Sequence, residues 1–168
     1  MNHLWSPWRM EYINNHDKVE GCVFCNAIKS TDGQENLIVT RGKLAFVILN
    51  RYPYTSGHLM VVPYVHCPVL DELDTAIRSE MMELTNQAIL VLQRIYHPQG
   101  FNLGMNIGSV AGAGIAEHVH LHIVPRWGGD TNFMSAVADT RVLPESLEET
   151  YQRVCEGWKG GLASSENG

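Results

Sequence analysis

The chain has 168 residues, 45% apolar and 18% charged, which is enough apolar content for one packed core and excludes wholesale disorder. Eighteen acidic against twelve basic residues leave a formal charge of −6, which argues against gripping nucleic acid by neutralising its phosphates. No run approaches about 18 consecutive apolar residues, and the N-terminal stretch MNHLWSPWRMEYINNHD has no apolar h-region or small-residue cleavage site, so a cytoplasmic chain without a membrane span is expected.

In chain order, residues 1–20 form an arm with Trp5, Trp8, Arg9 and Tyr12, and residues 21–168 form a single domain. Cys22-Val-Phe-Cys25 opens that domain, and without export a close cysteine pair reads as a metal or a redox site. The run Ser30 to Gly33 marks a loop. Residues 37–41 and 44–49, rich in Val, Ile, Leu and Phe and separated by Gly42, predict a hairpin. Residues 50–57 (NRYPYTSG) predict a loop, and 58–63 (HLMVVP) a strand stopped by Pro63. Leu70, Leu73, Ile77, Met81, Leu84, Ala88, Val91 and Ile95 recur at steps of three and four, which predicts a long helix over 69–96. Residues 101–107 predict a strand, GSVAGAG a flexible loop, 118–125 an alternating strand, and Pro144 to Trp158 a tail helix. Strands with hairpin-length connections around one long helix predict an antiparallel α+β domain.

Three of the eight histidines stand at 118, 120 and 122. On a strand these positions share one face, with neighbours about 6.5–7 Å apart, while Val119, Leu121 and Ile123 face the core. On a helix His118 and His120 would be about 200° apart. The row reads as the polar face of an edge strand, as a metal site, or as a phosphate or nucleophilic site, since imidazole titrates near neutrality and serves as base, acid or nucleophile.

His118-Val-His120-Leu-His122-Ile-Val-Pro125 resembles the pattern of the histidine triad superfamily, and Asn50-Arg51-Tyr-Pro53-Tyr-Thr-Ser-Gly57-His58 resembles a segment of its fragile histidine triad branch. The resemblance covers roughly residues 22–127. The arm LWSPWR and the segment 125–133 (PRWGGDTNF) look most like the bacterial diadenosine tetraphosphate phosphorylases of this superfamily. The resemblance implies a nucleotidyl transferase or hydrolase in which His120 attacks an α-phosphorus to form a nucleotidyl-histidine. Its other ring nitrogen is then expected on a backbone carbonyl, which fixes the tautomer. His122 and His58 are implied as donors to the phosphoryl oxygens, and His118 as a support beside the leaving group.

Around that centre, Asn50 falls where the family binds ribose hydroxyls, and it reads equally as an Asn capping a turn at a strand end. Asn106 stands where the branch has a phosphate-contacting Gln. The loop with Ser109, Gly112 and Gly114 reads as an anion-cradling turn or as a plain hairpin turn. Arg126 shares the alternation of the triad and is expected to hold a second anion, inorganic phosphate, while Trp127 is expected to wall the pocket, stack on a base or sit in a dimer contact. Some bacterial members that this chain resembles bind zinc through a cysteine pair, a His after Val-x-Pro-x-x-His, and the first triad His. The matching residues here are Cys22, Cys25, His66 and His118, a donor set suited to closed, structural, tetrahedral zinc. Cys67 adjoins His66 but is expected to point the other way.

The family typically pairs subunits through the long helix and an edge strand, which extends the sheet. Met82, Ile89 and Leu92 widen the apolar arc of the predicted helix in keeping with a homodimer. The expected activity is a diadenosine tetraphosphate phosphorylase. The alternatives are a dinucleoside polyphosphate hydrolase, a nucleoside phosphoramidase, and a non-catalytic nucleotide-binding zinc module. A binding module has no need of the central His, and this chain keeps it.

Overall fold

The structure, a computed structural model, describes residues 21–130 and 144–162. The N-terminal arm and its aromatic residues lie outside the described residues. The elements are α1 (Val23–Ala27), β1 (Ile38–Arg41), β2 (Ala45–Leu49), β3 (Leu59–Pro63), α2 (Thr75–Tyr96), β4 (Gly100–Gly104), β5 (Leu121–Arg126) and α3 (Leu147–Leu162), with one 3₁₀ turn over Ser109–Ala111. The strands form one antiparallel sheet in the order β1-β2-β3-β5-β4, so the α+β expectation holds.

Every residue of β2 and β3 is buried, as central strands covered on both faces require. α2 packs against β2, β3 and β5, and α3 packs against α2 and β1. Register places Val47, Val61 and Leu121 in one row across the sheet, and Ile48, Met60 and His122 in the next. Because side chains alternate, the two rows face opposite ways, and the second lines a cavity. The helix-to-helix contact depends on Gly157, where a Cβ would come within 2.8 Å of Ile95 Cγ2. A capping box starts α3: Ser146 Oγ accepts from Glu149 N–H at 3.2 Å while the Glu149 carboxylate accepts from Ser146 N–H at 3.0 Å. That cap moves the helix start from the expected Pro144 to Leu147.

Other boundaries also differ from expectation, each for a local reason. The long helix begins at Thr75, not 69. Leu70 and Leu73 keep the apolar spacing, but they sit in a turn closed by Leu73 N–H to Leu70 O at 3.2 Å and clamped by the Arg78 guanidinium. β4 ends at Gly104 because the chain then leaves the sheet toward Gly108, whose φ of 82° turns it into the 3₁₀ turn. β5 begins at Leu121, so His118 and His120 precede the ladder. The β3–β5 register stops at Val61↔Leu121, and Val119 N–H bonds Cys67 O at 2.8 Å instead of a β3 carbonyl. Pro63 has no N–H with which to extend the ladder. Pro125, by contrast, does not break β5, since it pairs Phe101 on β4 and the strand runs on to Arg126. The five-residue helix α1 lies where the sequence suggested only a cysteine pair. Among the described residues, no helix is long and apolar enough to cross a membrane.

Candidate active site

A cavity of about 560 Å³ opens on the histidine side of the sheet. Its apolar walls include Val23 and Phe24 of α1, Leu37, Ile48, Met60 and Ile115, and its polar lining includes Asn50, Asn106, His120 and His122. One apolar slot ending in a few convergent polar groups is the usual form of a small-molecule site, and the volume lies in the range of about 300–1,000 Å³ typical of ligand pockets.

Hydrogen bonds set the tautomers of the imidazoles in turn. His120 is buried and donates Nδ1–H to the carbonyl of His118 at 2.8 Å, which leaves the Nε2 lone pair as its remaining polar atom. His58 is wholly buried and accepts the backbone N–H of Tyr54 on Nδ1 at 3.1 Å. Its proton therefore sits on Nε2, which meets Nδ1 of His122 at 3.0 Å. His122 in turn must carry its own proton on Nε2, so it presents an N–H donor to the cavity. The rings of His120 and His122 meet edge to face with centroids 4.8 Å apart. A nucleophilic lone pair and a hydrogen-bond donor thus stand side by side.

Burial favours the neutral forms of His118, His120 and His122. It lowers the pKa of His122 to about 4, with the neighbouring His120 adding to the effect. It also pushes His120 and His118 below the ordinary range, against the opposing pull of their bonds to backbone carbonyls.

His118 turns the other way. Its Nε2–H donates to Pro63 O at 2.9 Å, which frees Nδ1 toward Cys22 Sγ at 3.3 Å and Cys25 Sγ at 3.7 Å. His66 Nδ1 lies 3.4 Å from Cys25 Sγ, and the four donor atoms all fall within 4.8 Å of one another. Two thiols and two imidazoles at such separations match the edges of a tetrahedral zinc site, and the Pro63 carbonyl fixes the ligating tautomer of His118 from behind. Cys67 stays out of the set, with its thiol on Val69 O.

The other residues singled out from the sequence divide. Asn50, Asn106, Gly112 and Gly114 line the cavity, while Ser109, Arg126 and Trp127 do not. Asn50 also caps the turn, its Oδ1 accepting from Tyr52 N–H at 2.9 Å. The amides of Gly112 and Ala113 bond back to Ser109 and Gly108, so at these two positions the plain-turn reading accounts for the donors. Arg126 lies on the histidine face by alternation, but its guanidinium is held by Asp130, at 2.5 and 2.9 Å, and by Asn102 at 2.7 Å. Trp127 packs edge-on against Tyr96 and donates Nε1–H to its carbonyl at 3.4 Å. Sequence reasoning missed the α1 wall and the part of Tyr54. The apolar Val23-Phe24 pair enclosed by the cysteines was the available signal for the wall.

A five-stranded antiparallel sheet that carries two of three alternating histidines onto the cavity and turns the first toward a thiol pair defines a histidine triad protein. The family model for the HIT domain matches residues 32–129, and the chain belongs to that family. A Mycobacterium tuberculosis protein named AP-4-A phosphorylase is 38% identical over 165 residues, covering 94% of this chain and 85% of its own. Among solved structures, a Zn-bound histidine triad family protein from Mycobacterium smegmatis superposes with a TM-score of 0.68 at 25% identity, over 86% of this chain and 97% of its own. A hypothetical histidine triad nucleotide-binding protein from Sulfolobus tokodaii gives a TM-score of 0.66 at 27% identity, over 83% and 93% respectively.

Proposed function

We propose that this chain is a nucleotide-processing enzyme that transfers the adenylyl group of diadenosine tetraphosphate to inorganic phosphate. The observation that carries the reading is the bond from His120 Nδ1–H to the His118 carbonyl at 2.8 Å, which leaves Nε2 of a neutral imidazole available in the cavity. The likeness to the relative named AP-4-A phosphorylase supports the substrate and the acceptor.

In the first step the Nε2 lone pair of His120 attacks an α-phosphorus, the P–O bond to the polyphosphate breaks, and ATP leaves with the bonding electrons. The ring becomes a cationic adenylyl-imidazolium, and its Nδ1–H bond to the His118 carbonyl strengthens as that charge develops. The His122 Nε2–H donates to a phosphoryl oxygen as negative charge builds there. His58 holds His122 in the donating tautomer, so His58 acts here as a positioning residue. In the second step an oxygen of inorganic phosphate attacks the same phosphorus, the P–N bond breaks back to Nε2, and ADP is released. Cys22, Cys25, His66 and His118 are the residues that would hold zinc, which supplies a structural cross-link when bound. Of the helix residues expected to face a partner, Met82 is exposed but Leu92 is buried in the chain's own core; the solvent-facing Met82 and Leu90 on α2 and Leu103 on β4 support pairing of two chains through the long helix and the edge strand, and a cytoplasmic location completes the reading.

The test is to supply diadenosine tetraphosphate with labelled phosphate. Label in ADP is expected. AMP and ATP formed without label would overturn phosphorolysis and leave a hydrolase. One observation favours that second reading: Asp130 and Asn102 already occupy the Arg126 guanidinium expected to hold the phosphate.

A further inference from the structure

Helix α1 belongs to two sites at once. Cys22 immediately precedes it and Cys25 lies within it, and both point their sulfurs into the four-donor cluster. Val23, Phe24, Asn26 and Ala27 of the same turn and a half line the cavity. Five residues without a side-chain cap cannot sustain a helix by themselves, because nucleation costs more than so few hydrogen bonds return. External contacts must therefore hold it. At its C-terminal end, Asn36 Nδ2 donates to Ala27 O at 3.1 Å, and Arg41, paired with Asp32, donates to Ile28 O at 3.3 Å. At its N-terminal end the polar ties are the two cysteines, whose contacts to His118 and His66 are weak thiol bonds.

Two routes lead from that cluster to the His120 ring. Phe24, only 2% exposed and flanked by the cysteines, packs on His118 with centroids 5.4 Å apart and on His120 at 5.0 Å. His118 offers Nδ1 to the cluster while its own carbonyl holds His120 Nδ1–H. Whatever fixes the cysteines and His118 also fixes a cavity wall and the ring beside it.

We infer that metal binding at Cys22, Cys25, His66 and His118 and nucleotide binding in the cavity are positively coupled through α1, with Phe24 as the positioning residue. The inference rests on the nucleotide reading of the cavity. Coupling of this kind is reciprocal in affinity, and couplings between sites commonly amount to about 5- to 150-fold. A value near tenfold is expected for a shared wall of one short helix.

The probes are Zn²⁺ and AMP, used on the full chain. Calorimetry should give AMP binding about tenfold tighter for zinc-loaded than for chelator-stripped protein. In the reverse direction, saturating AMP should slow zinc transfer to a chromogenic chelator by a similar factor, a measurement that starts from folded, loaded protein even if stripping unfolds the chain. Phe24→Leu keeps all four donors; it should retain zinc but lose most of the effect of AMP on zinc release. Zinc release indifferent to AMP overturns the coupling and leaves the nucleotide reading standing. Failure of zinc-loaded protein to bind AMP overturns both. An undiminished AMP effect in Phe24→Leu removes Phe24 from the path, and protein that takes up no zinc ends the inference.

Discussion

Acid should destabilise this fold through His122, and the size of the effect follows from its surroundings. Its Nδ1 accepts the His58 proton, and His58 cannot reverse its tautomer because Tyr54 N–H occupies the other nitrogen. Protonating His122 thus places two N–H groups face to face beside the His120 ring, at a half-buried position. Burial puts its folded pKa at about 4 against an ordinary 6.5. Between these values the unfolded chain binds the proton and the folded chain does not, so stability falls as pH drops from 6.5 and levels off below about 4. The full difference is worth about 3 kcal/mol, of which about 2 kcal/mol is lost by pH 5. His118 and His120, also lowered by burial, add in the same direction. The His122→Gln variant isolates the one residue. Urea unfolding at pH 7 and pH 5 should show the wild type losing about 2 kcal/mol more than the variant over that interval. Equal losses in the two proteins would refute both the relay and the neutral His122 that it requires.

Four other outcomes are expected. His120→Ala should keep its fold and its AMP affinity while turnover falls by several orders of magnitude, and near-normal turnover would exclude His120 as nucleophile. Gly57→Ala should cost about 2–4 kcal/mol in denaturant melts, because φ is +78° and the new Cβ would lie 2.9 Å from Leu92 Cδ2 and 3.1 Å from the Tyr96 ring; a cost under about 1 kcal/mol would refute that close approach. Elemental analysis of protein never exposed to chelator should find one zinc per chain, and Cys22→Ser should lower the melting temperature, whereas a metal content near zero would count against the site. Light scattering at micromolar concentration should give the mass of two chains; the mass of one would reject the dimer.

Local order in the sequence determined a good deal. The three- and four-residue steps from Ile77 to Ile95 specify a helix because one face recurs every 3.6 residues, and the alternation from His118 to Ile123 specifies an extended chain because side chains change face at each residue. Those patterns sufficed for the antiparallel α+β fold and for the row of histidines, whereas His58, Asn50 and the four candidate metal donors were implied by the family resemblance. The patterns overran at the edges. Leu73 is buried and Leu70 half-buried against the core like helix residues without being helical, and His118 and His120 alternate like strand residues although Pro63 ends their ladder.

Tertiary structure decided the tautomers of His58 and His122 and the shape of the site, whereas the bond from a ring nitrogen of His120 to a backbone carbonyl was already implied by the family resemblance. The relay from Tyr54 through His58 to His122 exists because β3 and β5 pair in one register and bring together residues 64 positions apart. No local pattern encodes such a distance. The fate of Arg126 depended on whether a carboxylate lay within reach after the turn, and Asp130 does. Cys22 and Cys25 announced a possible metal site, but a Cys-x-x-Cys spacing does not say which imidazoles will face it. The family resemblance had implied His66 and His118, and the structure supplies the reason for the second: the backbone carbonyl of Pro63 turns His118 toward the thiols while His120, two residues on, turns to the cavity.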